Sequence, residues 1–270
     1  MSKLLQGNAL TYDNESHFWI ATDSPHNYNS CTIESSYRER WEGVKIIYNL
    51  NEEGYRAKDW DKIDWSQSVV MLGDSCTLGV GVQNKDTVTE QLSMKLGKPV
   101  INLGVGGSSN LFMLYNAAKV IEHFNPWGMV IQWSTAERFP RFSKPHSGNS
   151  GIRNMGSWSF DDIYYKINWV KSDNFLYHDE YIKQTARQLN ISRFLDYVPE
   201  SWNNDYDTEN TLPWIPDNDK TDYRINQGDP TSTTGDNYAR DNLHPSGIIY
   251  KKWAKIIANG ITENDWMDKN

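Results

Sequence analysis

The stretch VVMLGDSCTLGVG, residues 69–81, decides the fold class of this chain. It predicts a strand at 68–72, and the apolar run VVML is typical of a strand that is covered on both faces. The run ends abruptly in Gly73-Asp74-Ser75, and further glycines follow. A buried strand needs a turn at this point, but the turn does not need a serine. The stretch therefore predicts a buried strand with a serine hydroxyl at its carboxyl end.

Helix and strand patterns alternate after this first strand. The expected elements are, in chain order, a helix at 86–97, a strand at 98–105, a helix at 108–125 and a strand at 127–134. Asp86 is the expected N-cap of the first helix, and Gly97 lies at its C-terminal end. The order β-α-β-α-β predicts a parallel sheet with right-handed crossovers and with helices on its faces.

The rest of the chain has weaker periodicity. We expect an irregular N-terminal extension at 1–48 and one α/β domain at 49–270, with a long excursion at about 139–235. The remaining expected elements are a short strand at 44–50, a helix at 177–190, a fourth strand at 192–198 and a closing helix with an apolar stripe at Ile248, Ile249, Trp253, Ile256 and Ile257.

Composition excludes several classes of protein. The 270 residues include 27 basic and 35 acidic side chains, with a formal charge of −8 and no basic stripe, so we expect no nucleic-acid partner. No apolar run reaches the roughly 18 residues of a membrane span, and the N-terminus lacks a signal-peptide core. We therefore expect a cytoplasmic protein with no membrane partner. Cys31 and Cys76 cannot form a disulfide framework, and Cys76 is expected to pack rather than react.

Three segments carry the candidate chemistry. Ser75 follows a parallel strand, where ligands bind and where the next N–H groups can stabilise an oxyanion. In DNLHPSG, residues 241–247, His244 is a candidate general base, and Asp241 can orient its imidazole. The glycine-rich turn NLGVGGSSN at 102–110 offers N–H donors to an anion. Taken singly, each segment has a plain structural alternative: a turn and N-cap, a surface histidine that caps a helix, and tight packing of strand on helix.

Taken together, the three segments resemble the sequence blocks of the SGNH (GDSL-like) hydrolase family. Gly73-Asp74-Ser75 is similar to the first block, Gly107 is the best match to the glycine of the second block, and Asp241 with His244 matches the last block. The segment NLNEEGYRAKDW, residues 49–60, resembles one that many bacterial members carry before the first strand. The resemblance covers about residues 49–136 and 236–258.

The resemblance implies a three-layer α/β/α, flavodoxin-like fold with its site at one edge of the sheet. It also implies a triad of Ser75, His244 and Asp241, with the N–H groups of Ser75 and Gly107 in the oxyanion hole. The family's third block supplies an asparagine to that hole, followed by an aspartate. This chain has Ala136 and Glu137 there, and an alanine side chain cannot donate a hydrogen bond. The candidates to replace the asparagine are Thr135, Gln132 and Asn110.

The resemblance implies a serine esterase that hydrolyses a small acyl ester and needs no metal or organic cofactor. The 12 Trp and 15 Tyr favour an acetylated glycan as substrate, and the structural alternative is that these rings pack long loops onto the domain. The histidines show no metal-ligand spacing, so no metal site is expected. The main alternative is a catalytically weak or inactive SGNH-like module that binds a protein partner in a larger assembly such as a virion. A weaker alternative is an acyltransferase that uses the same triad.

Overall fold

The computed structural model describes residues 16–30, 35–136, 138–142, 152–155, 175–197, 238–241, 243–263 and 266. The strands are β1 Ser16–His17, β2 Tyr48–Asn49, β3 Val69–Gly73, β4 Val100–Gly104, β5 Gly128–Gln132, β6 Phe139–Phe142, β7 Ile152–Met155 and β8 Phe194–Tyr197. The helices are α1 Pro25–Ser30, α2 Ser35–Trp41, α3 Ser75–Leu78, α4 Val88–Leu96, α5 Asn110–Phe124, α6 Phe175–Arg187 and α7 Gly247–Glu263. No helix in these described ranges is long and apolar enough to cross a membrane.

Four parallel strands form the central sheet, in the order β4-β3-β5-β8. Val69 of β3 pairs with Val100 of β4 on one side and with Gly128 of β5 on the other. Met129 of β5 pairs with Phe194 of β8 in the same direction. Helices lie between successive strands of this sheet, as parallel connections require. The α/β class and the flavodoxin-like, three-layer arrangement are confirmed, and so is the fourth strand expected at 192–198.

Alternate residues of β3 face two separate cores, because successive side chains of a strand point to opposite faces. Val69 and Met71 pack with buried residues of α4 and α7. Val70 and Leu72 pack with buried residues of α5 and α6. Helices therefore cover both faces of the sheet, which explains why β3 is apolar at every position instead of alternating.

Two details of the helix predictions are wrong. The N-cap of α4 is Thr87 rather than Asp86, because Thr87 Oγ1 accepts a hydrogen bond from the N–H of Glu90 at 3.3 Å. The buried stripe of α7 does not include Ile248, which is 51% exposed, or Ile256, which is half-buried. The buried face of α7 consists of Ile249, Tyr250, Trp253, Ala254, Ile257, Gly260 and Ile261.

The N-terminal extension folds against the turn that follows Ser75. β1 pairs antiparallel with β2, so the extension reaches the segment just before the domain's first sheet strand. Ile20 and Ile46 are buried in a small core with Leu78 and Val80. The extension is therefore packed on the domain next to the expected site, which the irregular sequence of residues 1–48 did not indicate.

Arg56 stabilises the turn that follows Ser75 by donating hydrogen bonds to its carbonyl groups. This arginine belongs to the segment that resembles the family before the first strand, and it is 5% exposed. Its guanidinium donates to the carbonyl oxygens of Gly79 at 2.8 Å and Val82 at 3.1 Å. Burial lowers the pKa of Arg56 to about 10, so it remains a cation at neutral pH. The turn after Ser75 is thus held by a buried charge that satisfies its carbonyl groups.

Candidate active site

Ser75 is the first residue of α3, directly after the carboxyl end of β3. The N-cap of this short helix is Asp74, whose Oδ1 accepts a hydrogen bond from the N–H of Cys76 at 2.9 Å. The N-cap that the Gly-Asp-Ser segment was expected to supply as its plain structural role is therefore provided by Asp74. Ser75 is half-buried, and within the described residues its hydroxyl makes no hydrogen bond. The capping requirement of the turn accounts for Asp74 but not for Ser75.

The carboxylate of Asp74 is fully buried and accepts hydrogen bonds from side chains at and after the end of β5. Asp74 Oδ2 accepts from Arg138 Nη1 at 2.7 Å and from Ser134 Oγ at 3.4 Å. Asp74 Oδ1 accepts from Gln132 Nε2 at 3.2 Å. The positive charge of Arg138 offsets the cost of burying a carboxylate here. The end of β5 thus fixes the turn that carries Ser75.

Asp241 and His244 form a hydrogen-bonded pair in the loop before α7. Asp241 Oδ2 lies 2.5 Å from His244 Nδ1, and Asp241 Oδ1 accepts from the backbone N–H groups of Leu243 and His244, each at 3.1 Å. The ring of His244 is therefore bound to Asp241 instead of capping α7. With Nδ1 held by the carboxylate, the other ring nitrogen, Nε2, is the one that can take up a proton.

Burial and charge act in opposite directions on this pair. Burial raises the pKa of Asp241, but the charge and hydrogen bonds of His244 outweigh it and lower the pKa overall. Burial lowers the pKa of His244, but the carboxylate of Asp241 outweighs it and raises the pKa overall. Each partner therefore stabilises the charged form of the other.

The loop that carries the pair packs against the turn after Ser75. The N–H of Arg240 donates to the carbonyl of Gly81 at 3.0 Å, and the N–H of Val80 donates to the carbonyl of Ser75 at 3.2 Å. Gly81 has a φ of 77°, and a Cβ atom on it would lie 2.6 Å from the Cβ of Ala239, so this approach requires glycine. These contacts bring the segments of Ser75 and His244 to the same edge of the sheet.

No hydrogen bond joins the hydroxyl of Ser75 to His244 in the described part of the chain. Among the described residues, the His244 ring has hydrogen-bond contacts with the side chains of Asp241 and Thr22. Contacts between a nucleophile and its general base are often long in substrate-free sites, and they shorten when substrate binds. The Asp241–His244 half of the expected triad is thus formed, whereas the Ser75–His244 half is not closed.

The turn of Gly107 lies beside the turn of Ser75. The N–H of Val105, at the end of β4, donates to the carbonyl of Gly73 at 3.1 Å. β4 also approaches α3 so closely that a Cβ atom on Gly104 would lie 2.2 Å from the backbone nitrogen of Leu78. Gly107 follows with a φ of 70°, in the left-handed region that favours glycine.

Two of the side chains expected to replace the family's asparagine make other contacts. Asn110 donates to the carbonyl of Ser134 at 3.0 Å and to Asp179 Oδ1 at 2.5 Å, which uses both amide hydrogens. Gln132 donates to Asp74 at 3.2 Å, and its Oε1 accepts from the hydroxyl of Tyr197 at 3.1 Å. Asn110 thus links the start of α5 to Ser134 and α6, and Gln132 links the end of β5 to the turn after β3 and to the end of β8.

The remaining positions of the third block lie directly after β5. Thr135 is half-buried, and Ala136 is buried with 3% of its surface exposed. Glu137 and Cys31 lie outside the described residues. Cys76 is buried, and burial raises the pKa of its thiol well above the ordinary value, which agrees with a packing role.

Three further residues complete the surroundings of the pair, and no local pattern in the sequence indicated them. Thr22 Oγ1 donates to Asp241 Oδ2 at 2.6 Å. Arg240 Nε donates to Asp23 Oδ1 at 2.9 Å, and Arg240 Nη2 lies 2.6 Å from Asp23 Oδ2. Asp23 and Arg240 are 217 positions apart in the chain, so sequence spacing carries no signal for this contact.

We expect Asp23→Asn to lower the free energy of unfolding by about 3–5 kcal/mol, because it leaves the buried charge of Arg240 without its carboxylate. Burial raises the pKa of Asp23 and Arg240 opposes this, so each charge depends on the other. Urea unfolding followed by tryptophan fluorescence measures the change. Asp59→Asn is the matched control, since Asp59 pairs with Lys62 at the surface and should matter little. Equal effects of the two substitutions would contradict the prediction.

In the residues that the structure describes, no group of three His, Cys, Asp or Glu side chains could hold a metal ion. Comparison with protein-family models and with curated proteins found no match to this chain.

Proposed function

We propose that this chain is a serine esterase of the SGNH type, with Ser75, His244 and Asp241 as its triad. The observation that carries the proposal is the Asp241–His244 pair, with an Oδ2–Nδ1 distance of 2.5 Å, held by backbone contacts against the turn that follows Ser75. A histidine that only caps a helix would not need a buried carboxylate on Nδ1. Nor would a turn that Asp74 already caps need a serine at the half-buried position 75.

The proposed reaction proceeds through an acyl-enzyme. Ser75 Oγ attacks the carbonyl carbon of the ester while His244 Nε2 takes the hydroxyl proton. The imidazolium that forms is stabilised by Asp241 and gives its proton to the leaving alcohol. A water molecule then attacks the acyl-enzyme, with His244 again acting as the base, and releases the acid and free Ser75. No step requires a metal or an organic cofactor.

We assign the oxyanion hole to the backbone N–H groups of Ser75 and Gly107. The adjacency of the two turns, through Val105 and Gly73, supports this assignment. At the position of the family's third donor, Ala136 offers only a methyl group, and the half-buried Thr135 remains the candidate to replace it. Loss of one oxyanion donor lowers a rate by about 10²–10³. We therefore expect a slower esterase than a three-donor site would give.

The substrate class that we propose is a small acyl ester, with an O-acetyl group on a carbohydrate as the leading candidate. The support is the resemblance to the family and the number of aromatic side chains in the chain, since rings can stack on sugar faces. Acyl transfer to a sugar would use the same triad and differs only in the group that attacks the acyl-enzyme.

Turnover of p-nitrophenyl acetate, butyrate and octanoate tests the proposed activity. We expect hydrolysis above the protein-free rate, with the acetate preferred, and an initial burst of p-nitrophenol if the acyl-enzyme accumulates. Release of acetate from acetylated xylan would then extend the result to glycans. Absence of turnover for all esters would contradict the proposal and favour the alternative of a non-catalytic module, to which the replacement of the asparagine by Ala136 already points.

The pH dependence of kcat/KM should report the raised pKa of His244. The base must be neutral to accept a proton, and Asp241 stabilises its charged form. The acid limb should therefore have its midpoint above about 6.5, the ordinary pKa of histidine. Measurement with p-nitrophenyl acetate between about pH 5 and 8 covers this range. A rate that does not change with pH there would show that His244 is not the base.

A further inference from the structure

The contact between Thr22 and the Asp241–His244 pair has no counterpart in the three sequence blocks. Thr22 Oγ1 lies 2.6 Å from Asp241 Oδ2 and 3.3 Å from His244 Nδ1. A hydroxyl has one hydrogen and two lone pairs. Its hydrogen goes to Asp241, because an ionised carboxylate can only accept. A lone pair of the hydroxyl is then left to accept from the N–H at Nδ1 of His244 when that nitrogen is protonated.

The hydroxyl completes the hydrogen bonding of the carboxylate. Two backbone N–H groups donate to Asp241 Oδ1, and the imidazole and Thr22 donate to Oδ2. A carboxylate with this number of donors is held in one orientation and stays ionised although it is buried. The hydroxyl of Thr22 contributes to the lowering of the pKa of Asp241.

The backbone around Thr22 is held firmly in place. The N–H of Asp23 donates to the carbonyl of Ile20 at 2.9 Å, which closes a tight turn, and Asn27 Nδ2 donates to the carbonyl of Thr22 at 2.6 Å. Ala21 in this turn has a φ of 51°, a left-handed conformation that costs energy for any residue except glycine. Such strain persists only where the surrounding structure enforces it, and it is concentrated at functional sites.

The residue after Thr22 ties this turn to the residue before Asp241. Asp23 is paired with Arg240, and the guanidinium carbon of Arg240 lies 3.8 Å from the centre of the Trp19 ring. Arg240 also donates to the carbonyl of Val44 at 3.0 Å. The N-terminal extension is thus tied through Trp19, Asp23 and Val44 to Arg240, the residue directly before Asp241.

We propose that Thr22 is a positioning residue of the triad: its hydroxyl fixes the Asp241 carboxylate and the Nδ1-protonated tautomer of His244, so that Nε2 is the nitrogen presented to Ser75. This inference rests on the proposed function. It assigns a role in the reaction to the N-terminal extension, whereas the three triad residues all lie in the segment 49–270. Thr22 acts through Asp241 and His244 and does not touch the reacting atoms.

Two substitutions separate the hydroxyl from the shape of the side chain. Thr22→Val keeps the shape and removes the hydroxyl, whereas Thr22→Ser keeps the hydroxyl and removes the methyl group. With p-nitrophenyl acetate we expect Thr22→Val to lower kcat by about tenfold to a hundredfold, with little change in KM. Thr22→Ser should keep most of the wild-type kcat. Equal loss in both variants, or a wild-type kcat in Thr22→Val, would overturn the inference.

A spectroscopic measurement separates this inference from the proposed function. The downfield proton resonance of His244 Nδ1–H can be recorded in the Ser75→Ala background, where no turnover is needed, and assigned by its loss in His244→Ala. We expect Thr22→Val to shift or broaden this resonance and Thr22→Ser to preserve it. An unchanged resonance in Thr22→Val overturns the positioning role even in an active enzyme. A shifted resonance in a protein that hydrolyses no ester supports the positioning contact and contradicts the proposed function.

Discussion

Replacing Ser75 with alanine is expected to lower kcat for p-nitrophenyl acetate by at least about a thousandfold. The substitution removes only the hydroxyl group. Within the described residues this hydroxyl makes no hydrogen bond that supports the fold. The cap of α3 is unaffected because Asp74 provides it. We therefore expect the variant to unfold at the same urea concentration as the wild type. Steady-state turnover and urea unfolding measure the two effects separately.

Ser66→Ala is the matched control for this substitution. Ser66 is exposed in the short helix at Trp65–Gln67, and within the described residues its hydroxyl donates only to the nearby side chain of Asp64. Its removal should leave ester turnover unchanged. A Ser75→Ala protein that is folded and retains more than about a tenth of the wild-type kcat would exclude Ser75 as the nucleophile.

Asp241→Asn should lower kcat by about 10⁴ as well. The carboxylate accepts on both oxygens, from two backbone N–H groups and from Thr22 and His244. An amide has one oxygen, so its NH₂ group must face one of these donor sets. If the NH₂ group faces Nδ1, the ring must place its proton on Nε2, and it can no longer accept the proton of Ser75.

The same substitution should change the pH profile in a defined direction. Asp241 raises the pKa of His244, so its neutralisation should lower that pKa and move any residual acid limb of kcat/KM to lower pH. Asp61→Asn, at an exposed position in the short helix at Trp60–Lys62, provides the control for loss of one negative charge. An acid limb in Asp241→Asn at the wild-type pH would contradict the ion pair as the cause of the raised pKa.

The fold could be predicted because its signals are local. The apolar run of β3, the capping residues and the glycine at the end of α4 are all patterns within a few positions of each other. The errors were local as well. Asp86 and Thr87 are both good N-caps, and only the backbone decides which one accepts the hydrogen bond. The sequence pattern groups Ile248 with the apolar stripe of α7, but it is exposed while its neighbours Ile249 and Tyr250 in the same turn are buried, so its side chain points away from the core.

The contacts of the candidate site are also of two kinds, local ones that the sequence could predict and long-range ones that it could not. Asp241 and His244 are three residues apart, so their pairing could be expected from sequence spacing. Thr22 and Arg138 could not be found in this way, because each meets its carboxylate only after the chain has folded. Long-range contacts of this kind depend on how the extension and the loop after β5 pack, and no periodicity in the sequence records that packing.

Labelling with a fluorophosphonate probe, located by mass spectrometry, tests the central claim most directly, since the probe reacts with an activated serine and needs no knowledge of the substrate. We predict one label per chain, on the peptide that contains Ser75, at a rate reduced in His244→Ala and absent in Ser75→Ala. An unlabelled wild-type protein, or a label on another serine, would contradict the assignment of Ser75 and His244 as nucleophile and base.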